Sequence, residues 1–147
     1  MNIWYLESSL FLTQLLRDRP DSVVRACERW LDRADQGEVS LITSTLTWDE
    51  VCYVAGRGLK GKGGSYDAQR AAEAGALLLG LRGLRIEAVD EAALYEAGDL
   101  IRRTGLKPRD ALHAALARRH ALGQMLTLDA DFSTRMQGCG LTLTAVA

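Results

Sequence analysis

The sequence has few cysteines, few prolines and no long hydrophobic run, and each shortage excludes a class of protein. Its three cysteines, Cys27, Cys52 and Cys139, show no CxxC-type pairing, which argues against a disulfide framework and against a structural zinc site. Only two prolines occur, and no internal repeat or low-complexity tail is visible. The apolar start lacks a basic region and is interrupted by Glu7, and no later stretch is long enough to span a bilayer. We therefore expect a cytoplasmic protein without membrane association.

The chain also lacks an excess of charge of either sign. Its 18 basic and 19 acidic residues give a net charge of −1, so no global attraction to nucleic acid or to anionic membranes is expected. Binding of a polyanion would have to come from local patches or from bound cations. With 147 residues, 48% of them hydrophobic, the chain is predicted to form a single domain, residues 1–147, with a sizeable core.

Strand-like and helix-like segments alternate along the chain. Ser8 and Ser9 are predicted to cap the first helix, and Gly105 suits the C-terminus of a later one. Such alternation predicts a parallel sheet covered by helices on both faces, with ligands bound outside the carboxyl ends of the strands. The predicted strands are residues 3–6, 39–43, 84–89, 124–128 and 141–146.

Four acidic residues are expected at that edge of the sheet. Glu7 and Asp129 directly follow predicted strands. Glu50 and Asp110 are predicted in the first turns of helices that begin at the same edge, the second of them opened by Pro108. The four carboxylates are therefore predicted to converge on one acidic pocket.

Each acid also has a purely structural interpretation. The TWDE segment at 47–50 has the spacing of a capping box. Asp110 in a first turn would gain about 0.3–1 kcal/mol from the helix dipole, and Asp129 and Asp131 are residue types that favour turns and N-caps. Glu7 is the hardest to explain in this way, because it follows an apolar strand and has no cationic neighbour in sequence.

Convergence would favour a metal site. Several carboxylates in one cleft repel one another unless a cation compensates, and oxygen ligands without Cys or His suit Mg²⁺ or Mn²⁺. Such ions bind phosphodiesters and activate water. His113, three residues after Asp110, would orient a carboxylate, contact substrate or be a buried hydrogen-bonded histidine. Basic residues on both sides of Asp110 form either a solvated face or a phosphate-binding one: Arg102, Arg103, Lys107, Arg109, Arg118 and Arg119.

Four segments together resemble the PIN-domain nucleases, and most closely the VapC-type toxin ribonucleases. These are IWYLESSLFL, TSTLTWDEVCYV, GLKPRDALHAALARRH and MLTLDADF, in the order and at the spacing of that family. The resemblance covers essentially the whole chain and implies a three-layer α/β/α sandwich around a central parallel sheet. It also implies a metal-dependent endoribonuclease that uses Mg²⁺ or Mn²⁺.

The resemblance assigns residues by position. It places the acid quartet on Glu7, Glu50, Asp110 and Asp129, with Asp131 as a further, secondary acid. The first position is usually aspartate in this family, and the extra methylene of Glu7 moves its carboxylate relative to the others. Substrate-contacting or supporting roles fall on Ser9, Thr127, His113 and Arg109.

The resemblance further implies partners. VapC-like toxins act on RNA, are neutralised by a small antitoxin protein, and commonly dimerise through apolar helices of the first half. The candidate dimer contacts here are Trp30, Leu31, Tyr53 and residues 77–79.

Two other functions fit the sequence. One is a catalytically weak or inactive PIN domain that binds RNA or a protein, which the glutamate at position 7 favours. The other takes Asp129-Ala130-Asp131 as a phosphoryl-transfer motif of haloacid-dehalogenase type, although that motif normally follows the first strand of its fold.

Overall fold

One parallel sheet of five strands forms the centre of the computed structural model, which describes residues 2–57, 65–128 and 130–147. In space the strands follow the order third, second, first, fourth and fifth, and every neighbouring pair is parallel. The first strand of the chain is therefore central. The strands are β1 (Ile3–Leu6), β2 (Ser40–Ser44), β3 (Leu84–Glu87), β4 (Gln124–Thr127) and β5 (Thr142–Ala145).

Helices cover both faces of this sheet. The first four pack on one face and the last three on the other, which confirms the predicted α/β/α sandwich. Within the ranges that the structure describes, no helix combines the length and the apolar character needed to cross a membrane. The helices are α1 (Ser8–Leu16), α2 (Asp21–Asp35), α3 (Thr45–Arg57), α4 (Ala68–Leu79), α5 (Glu91–Thr104), α6 (Pro108–His120) and α7 (Ala130–Arg135).

The pleat of the strands divides the core into two halves. Tyr5 and Leu6 are both fully buried, but successive side chains of a strand point to opposite faces. Tyr5 belongs to the cluster formed with α5, α6 and α7, whereas Leu6 belongs to the cluster formed with α1 to α4. The alternation along β1 thus determines which helices each residue can contact.

The α6 helix lies closest to the middle of the sheet. It begins at Pro108, as predicted, and Asp110 lies in its first turn. Its central residues are buried and mostly alanine, including Ala114 and Ala115, which have no exposed surface. Small side chains let the helix approach the strands closely, and this brings His113 against the sheet.

Two predicted helix starts are wrong. The α3 helix begins at Thr45, directly after β2, so the predicted capping box at 47–50 does not exist and Glu50 lies in the second turn. Thr47 is fully buried within the first turn of this helix, so it is not the residue that precedes and caps it. At α1 the cap is Glu7 rather than Ser8 or Ser9: its carboxylate accepts a hydrogen bond from the backbone N–H of Ser9.

Candidate active site

The carboxyl ends of all five strands lie on one edge of the sheet, because every pair is parallel. Chain order reverses at β1, which has β2 on one side and β4 on the other. In open parallel sheets the ligand crevice lies at such a switch point. Glu7 follows β1, and α3 starts immediately after β2, so the first two predicted acids come from this edge.

Glu50 and Asp110 line the same pocket. It is an open cavity of about 470 Å³, and its other lining residues are Lys107, Pro108 and Arg109. The two carboxylates are largely buried, with 15% and 18% of their side-chain surfaces exposed. Two acids that are 60 residues apart in sequence are therefore brought together with two cationic side chains. Arg109, predicted as a supporting residue, lies among them.

Asp110 is held by an arginine from another element. Nε of Arg135, on α7, lies 3.1 Å from Oδ2 of Asp110, and the Arg135 guanidinium also lies over the ring of Phe132. The half-exposed arginine compensates the charge of the carboxylate. The sequence does not indicate a role for Arg135, because nothing in the residues around it connects it with a helix that begins 27 residues earlier.

Glu50 is held by a buried hydrogen-bonded chain. Its Oε1 lies 2.9 Å from Nε2 of His113, and Nδ1 of the same ring lies 2.7 Å from the hydroxyl of Tyr5. The Tyr5 hydroxyl is also hydrogen-bonded to Oγ of Ser44, at 2.9 Å. His113 is 2% exposed, so of the three predicted roles the buried, hydrogen-bonded one that orients a carboxylate fits, and substrate contact does not.

The Tyr5 hydroxyl is close to two of the predicted acids. Burial raises the pKa of Tyr5 far above its ordinary value, and the negative charges of Glu50 and Glu7 raise the pKa further. Tyr5 is therefore a neutral hydroxyl at physiological pH that can both donate and accept a hydrogen bond. Sequence analysis missed Tyr5 and Ser44. The alternation of β1 places Tyr5 and Leu6 on opposite faces of the sheet, but it does not indicate which helix or which residue Tyr5 meets.

Glu7 is engaged by Ser9. Its Oε2 accepts the backbone N–H of Ser9 at 3.1 Å, and its Oε1 accepts the Ser9 hydroxyl. Ser9, predicted to accompany the first acid, does so in the structure. Since a glutamate side chain is long enough to fold back onto the helix it precedes, Glu7 serves as the N-cap of α1. It is not among the described residues that line the pocket of Glu50 and Asp110.

The remaining predicted residues lie further along the same edge or outside the described ranges. Asp129 is one of the residues that the structure does not describe. Asp131 is exposed in the first turn of α7. Thr127, at the end of β4, is buried and lines a separate cavity with Ser133, Thr134 and Gln137. Among residues 2–57, 65–128 and 130–147, no three Asp, Glu, His or Cys side chains form a group that could hold a metal ion.

The donor chemistry nevertheless fits a hard divalent cation. Glu50 and Asp110 are each held through one oxygen, Oε1 and Oδ2 respectively, which leaves the other oxygen of each for a ligand in the pocket. Both ring nitrogens of His113 are engaged in hydrogen bonds, so the ring is not a ligand. Oxygen donors without nitrogen or sulfur suit Mg²⁺ or Mn²⁺ rather than zinc.

Comparison with known proteins agrees with this architecture. VapBC2 from Rickettsia felis, solved with a DNA fragment from its promoter, superposes with a TM-score of 0.67 at 15% identity, covering 97% of this chain and 98% of that one. VapC20 from Mycobacterium tuberculosis, a toxin that cleaves the sarcin-ricin loop, gives 0.66 at 19% identity over 90% and 93%. FitAcB from Neisseria gonorrhoeae gives 0.59 at 22% identity over 98% and 97%. A search of curated proteins finds no match. The sequence model of the PIN domain, however, matches residues 5–135, and the chain therefore belongs to the PIN domain family.

Proposed function

We propose that this protein is a divalent-metal-dependent endoribonuclease and the toxin of a toxin–antitoxin pair. The observation that carries the proposal is the pocket in which Glu50 and Asp110 lie together with Lys107 and Arg109. Membership of the PIN domain family supports a nuclease. The fold is shared with VapC20, which is described as a toxin that cleaves the sarcin-ricin loop, and this supports RNA as the substrate class.

The acids of the predicted quartet form the proposed metal site. Glu50 and Asp110 would hold the ion through the oxygens that His113 and Arg135 leave, and Asp129 would join them, with Asp131 as a secondary acid. Glu7, which forms no three-acid group with Glu50 and Asp110 in the described structure, would contribute its negative charge to the site. A bound Mg²⁺ or Mn²⁺ supplies Lewis-acid activation of the phosphodiester and of the attacking water. The chain itself orients the carboxylates, since His113 holds one of them and Arg135 the other.

The basic residues of the pocket would bind the RNA backbone. Lys107 and Arg109 flank the N-terminus of α6, where unpaired backbone N–H groups and the helix dipole favour phosphate. The net charge of −1 gives the protein no overall attraction to a polyanion. This local basic patch would provide that attraction instead. Phosphate contacts of this kind position a substrate without reading its sequence.

Purified protein is expected to cleave RNA in the presence of Mn²⁺ and to stop when EDTA is added. Gel electrophoresis measures the endonucleolytic cleavage of a mixed RNA substrate. After chelation, Mg²⁺ or Mn²⁺ is added back in excess. Recovery of cleavage on adding the metal back is the control against irreversible unfolding. Equal cleavage with and without the chelator would contradict a metal-dependent mechanism.

The hydrogen bonds that Ser9 donates to Glu7 favour the second candidate, an inactive PIN domain that binds RNA or protein. We expect Glu7→Asp to remain close to wild type, because aspartate keeps the charge and is a favoured N-cap. Glu7→Gln should weaken Mn²⁺-dependent cleavage by roughly tenfold or more, since it removes a negative charge from the metal site. Cleavage rates at several Mn²⁺ concentrations measure both effects, and thermal unfolding corrects for the lost cap.

The two candidates are separated by the outcome of that experiment. RNA binding without cleavage in any divalent metal, together with no gain in Glu7→Asp, would support the binding module. Two observations argue against the haloacid-dehalogenase interpretation: the PIN domain model matches residues 5–135, and Asp131 lies on an exposed helical turn. Turnover of a generic phosphate ester would support it.

An apolar groove supports the proposed protein partners. A cavity of about 290 Å³ lies between α1, α3 and α4. Leu77, which lines it, is 60% exposed, and Leu79 on the same helix is 64% exposed. Tyr53 is also exposed, whereas Trp30 is partly buried and bonds to the carbonyl of Val146. We propose that this surface serves a homodimer or the antitoxin, as a cytoplasmic toxin would require. Sedimentation of the chain alone and with its co-expressed genomic neighbour tests this.

A further inference from the structure

We propose that His113 and Tyr5 are positioning residues that set the orientation of the Glu50 carboxylate toward the metal. This inference rests on the proposed function, because it takes Glu50 as a metal ligand. Neither side chain can contact RNA or the ion itself, since Tyr5 has no exposed surface and His113 is 2% exposed. They act through Glu50 alone.

The geometry determines which nitrogen of the ring carries a hydrogen. Nε2 of His113 lies 2.9 Å from a carboxylate oxygen of Glu50, and an ionised carboxylate can only accept hydrogen bonds. Nε2 must therefore donate. Oε1 of Glu50 then accepts this N–H, which leaves Oε2 for a ligand in the pocket that Glu50 lines.

Tyr5 holds the ring in that orientation from the other side. Its hydroxyl lies 2.7 Å from Nδ1, and the same hydroxyl is hydrogen-bonded to Ser44. The ring therefore cannot flip without breaking its hydrogen bonds to Tyr5 and Glu50. This series of hydrogen-bonded side chains connects β2, β1, α6 and α3. Residues from two central strands thus control the direction of an acid that lies on a helix.

The rigidity of this series matters because the metal imposes geometry. Mg²⁺ requires nearly ideal octahedral coordination, so a carboxylate that rotates freely is a poor ligand. Partners that orient metal ligands commonly contribute 10- to 100-fold in metal affinity or activity. Arg135 holds the carboxylate of Asp110 in a comparable way. Its own side chain is half exposed, however, so it is held less rigidly than His113.

The test measures the affinity for Mn²⁺ in four variants at one fixed pH, using the EPR signal of the Mn²⁺ that stays unbound. His113→Leu should weaken binding by about 10- to 100-fold, since it removes both hydrogen bonds. His113→Gln, whose amide can still donate to Glu50, should recover most of that loss. Tyr5→Phe, which keeps the ring and removes only the hydroxyl, should fall between them. His120→Leu, on the same helix but remote from Glu50, is the matched control and should bind as wild type.

A second readout does not depend on metal or on activity. Long-range proton–nitrogen NMR of the histidine ring should find the hydrogen of His113 on Nε2 in the wild type, and Tyr5→Phe should alter that signal. Circular dichroism verifies that each variant folds. If His113→Leu does not fold, Tyr5→Phe still decides the question, because it is expected to bind Mn²⁺ more weakly than the wild type.

The outcomes separate this inference from the proposed function. Glu50→Gln should weaken Mn²⁺ binding. If it does, but Tyr5→Phe, and His113→Leu where it folds, bind Mn²⁺ and cleave RNA as wild type, the positioning role is overturned and the nuclease stands. If Glu50→Gln binds Mn²⁺ as wild type, Glu50 is not a ligand and both are overturned. A ring hydrogen found only on Nδ1 also overturns the positioning role.

Discussion

Replacement of Asp110 by asparagine should lower the rate of RNA cleavage by roughly 100-fold or more, because the loss of a direct metal ligand exceeds the 10- to 100-fold effect of outer partners. The carboxylate lines the pocket with Glu50, and one of its oxygens is held by Arg135. Asparagine keeps the shape of the side chain but removes the charge that a divalent cation needs. The measurement is single-turnover cleavage at increasing Mn²⁺ concentrations.

The matched control for that variant is Asp99→Asn. Asp99 also forms an ion pair with an arginine, at 3.0 Å from Nε of Arg103, but it lies on exposed α5 and away from the pocket. Both variants lose an ion pair with an arginine, and at Asp99, whose side chain is 53% exposed, such a pair contributes only about 0–1 kcal/mol to stability. Asp99→Asn should therefore cleave as wild type. Undiminished cleavage by Asp110→Asn at every Mn²⁺ concentration would show that the active site lies elsewhere.

Replacement of Gly83 by alanine should destabilise the fold by about 3 kcal/mol, the largest stability effect we expect from a single added methyl group. Gly83 has a φ of +75°, and a Cβ there would lie 2.2 Å from the carbonyl oxygen of Ala34, which is backbone and cannot rotate away. The carbonyl of Gly83 also accepts the N–H of Leu41, where the edge strand β3 joins β2. The clash therefore disturbs the junction of α2 with the sheet.

Gly105→Ala separates the two causes of that loss. Gly105 has the same φ of +75°, but no atom of the described residues lies within 4 Å of the position that a Cβ would take. It should lose only the cost of a left-handed backbone, about 1 kcal/mol. In a chain of this size 1 kcal/mol corresponds to about 2–4 °C in Tm, so thermal unfolding resolves the two variants. Equal Tm values would mean that the chain around Ala34 moves aside without loss.

The local features of this fold could be predicted from sequence because they depend on neighbouring residues. Pro108 opens α6, Gly105 ends α5 and Asp90 caps it, each through contacts within a few residues. Helical and strand periods likewise identified all five strands. The same local reasoning failed at 45–50, where a capping box was predicted. There the helix begins at Thr45, directly after β2, and Thr47 is a buried residue within it.

The acidic residues illustrate the limit of sequence analysis at the site. The alternation of strands and helices predicted that both acids lie at the carboxyl edge of the sheet. Glu50 and Asp110 share one pocket because of the order of the strands in that sheet, and the local sequence pattern does not contain this order. The additional basic partner of Asp110 could not be predicted. Arg135 reaches it only because α7 follows β4, the strand that pairs with β1.

By itself, then, the sequence determined a parallel α/β fold, a helix that begins at Pro108 and an acid in its first turn. These depend on dihedral preference, capping and hydrophobic period, which act over a few residues. Only the tertiary structure decided that His113 would bond to Glu50, 63 positions away, and to Tyr5, 108 positions away. Such bonds require the close packing of α6 against β1, because a hydrogen bond forms only when both partners are held within about 3 Å of each other.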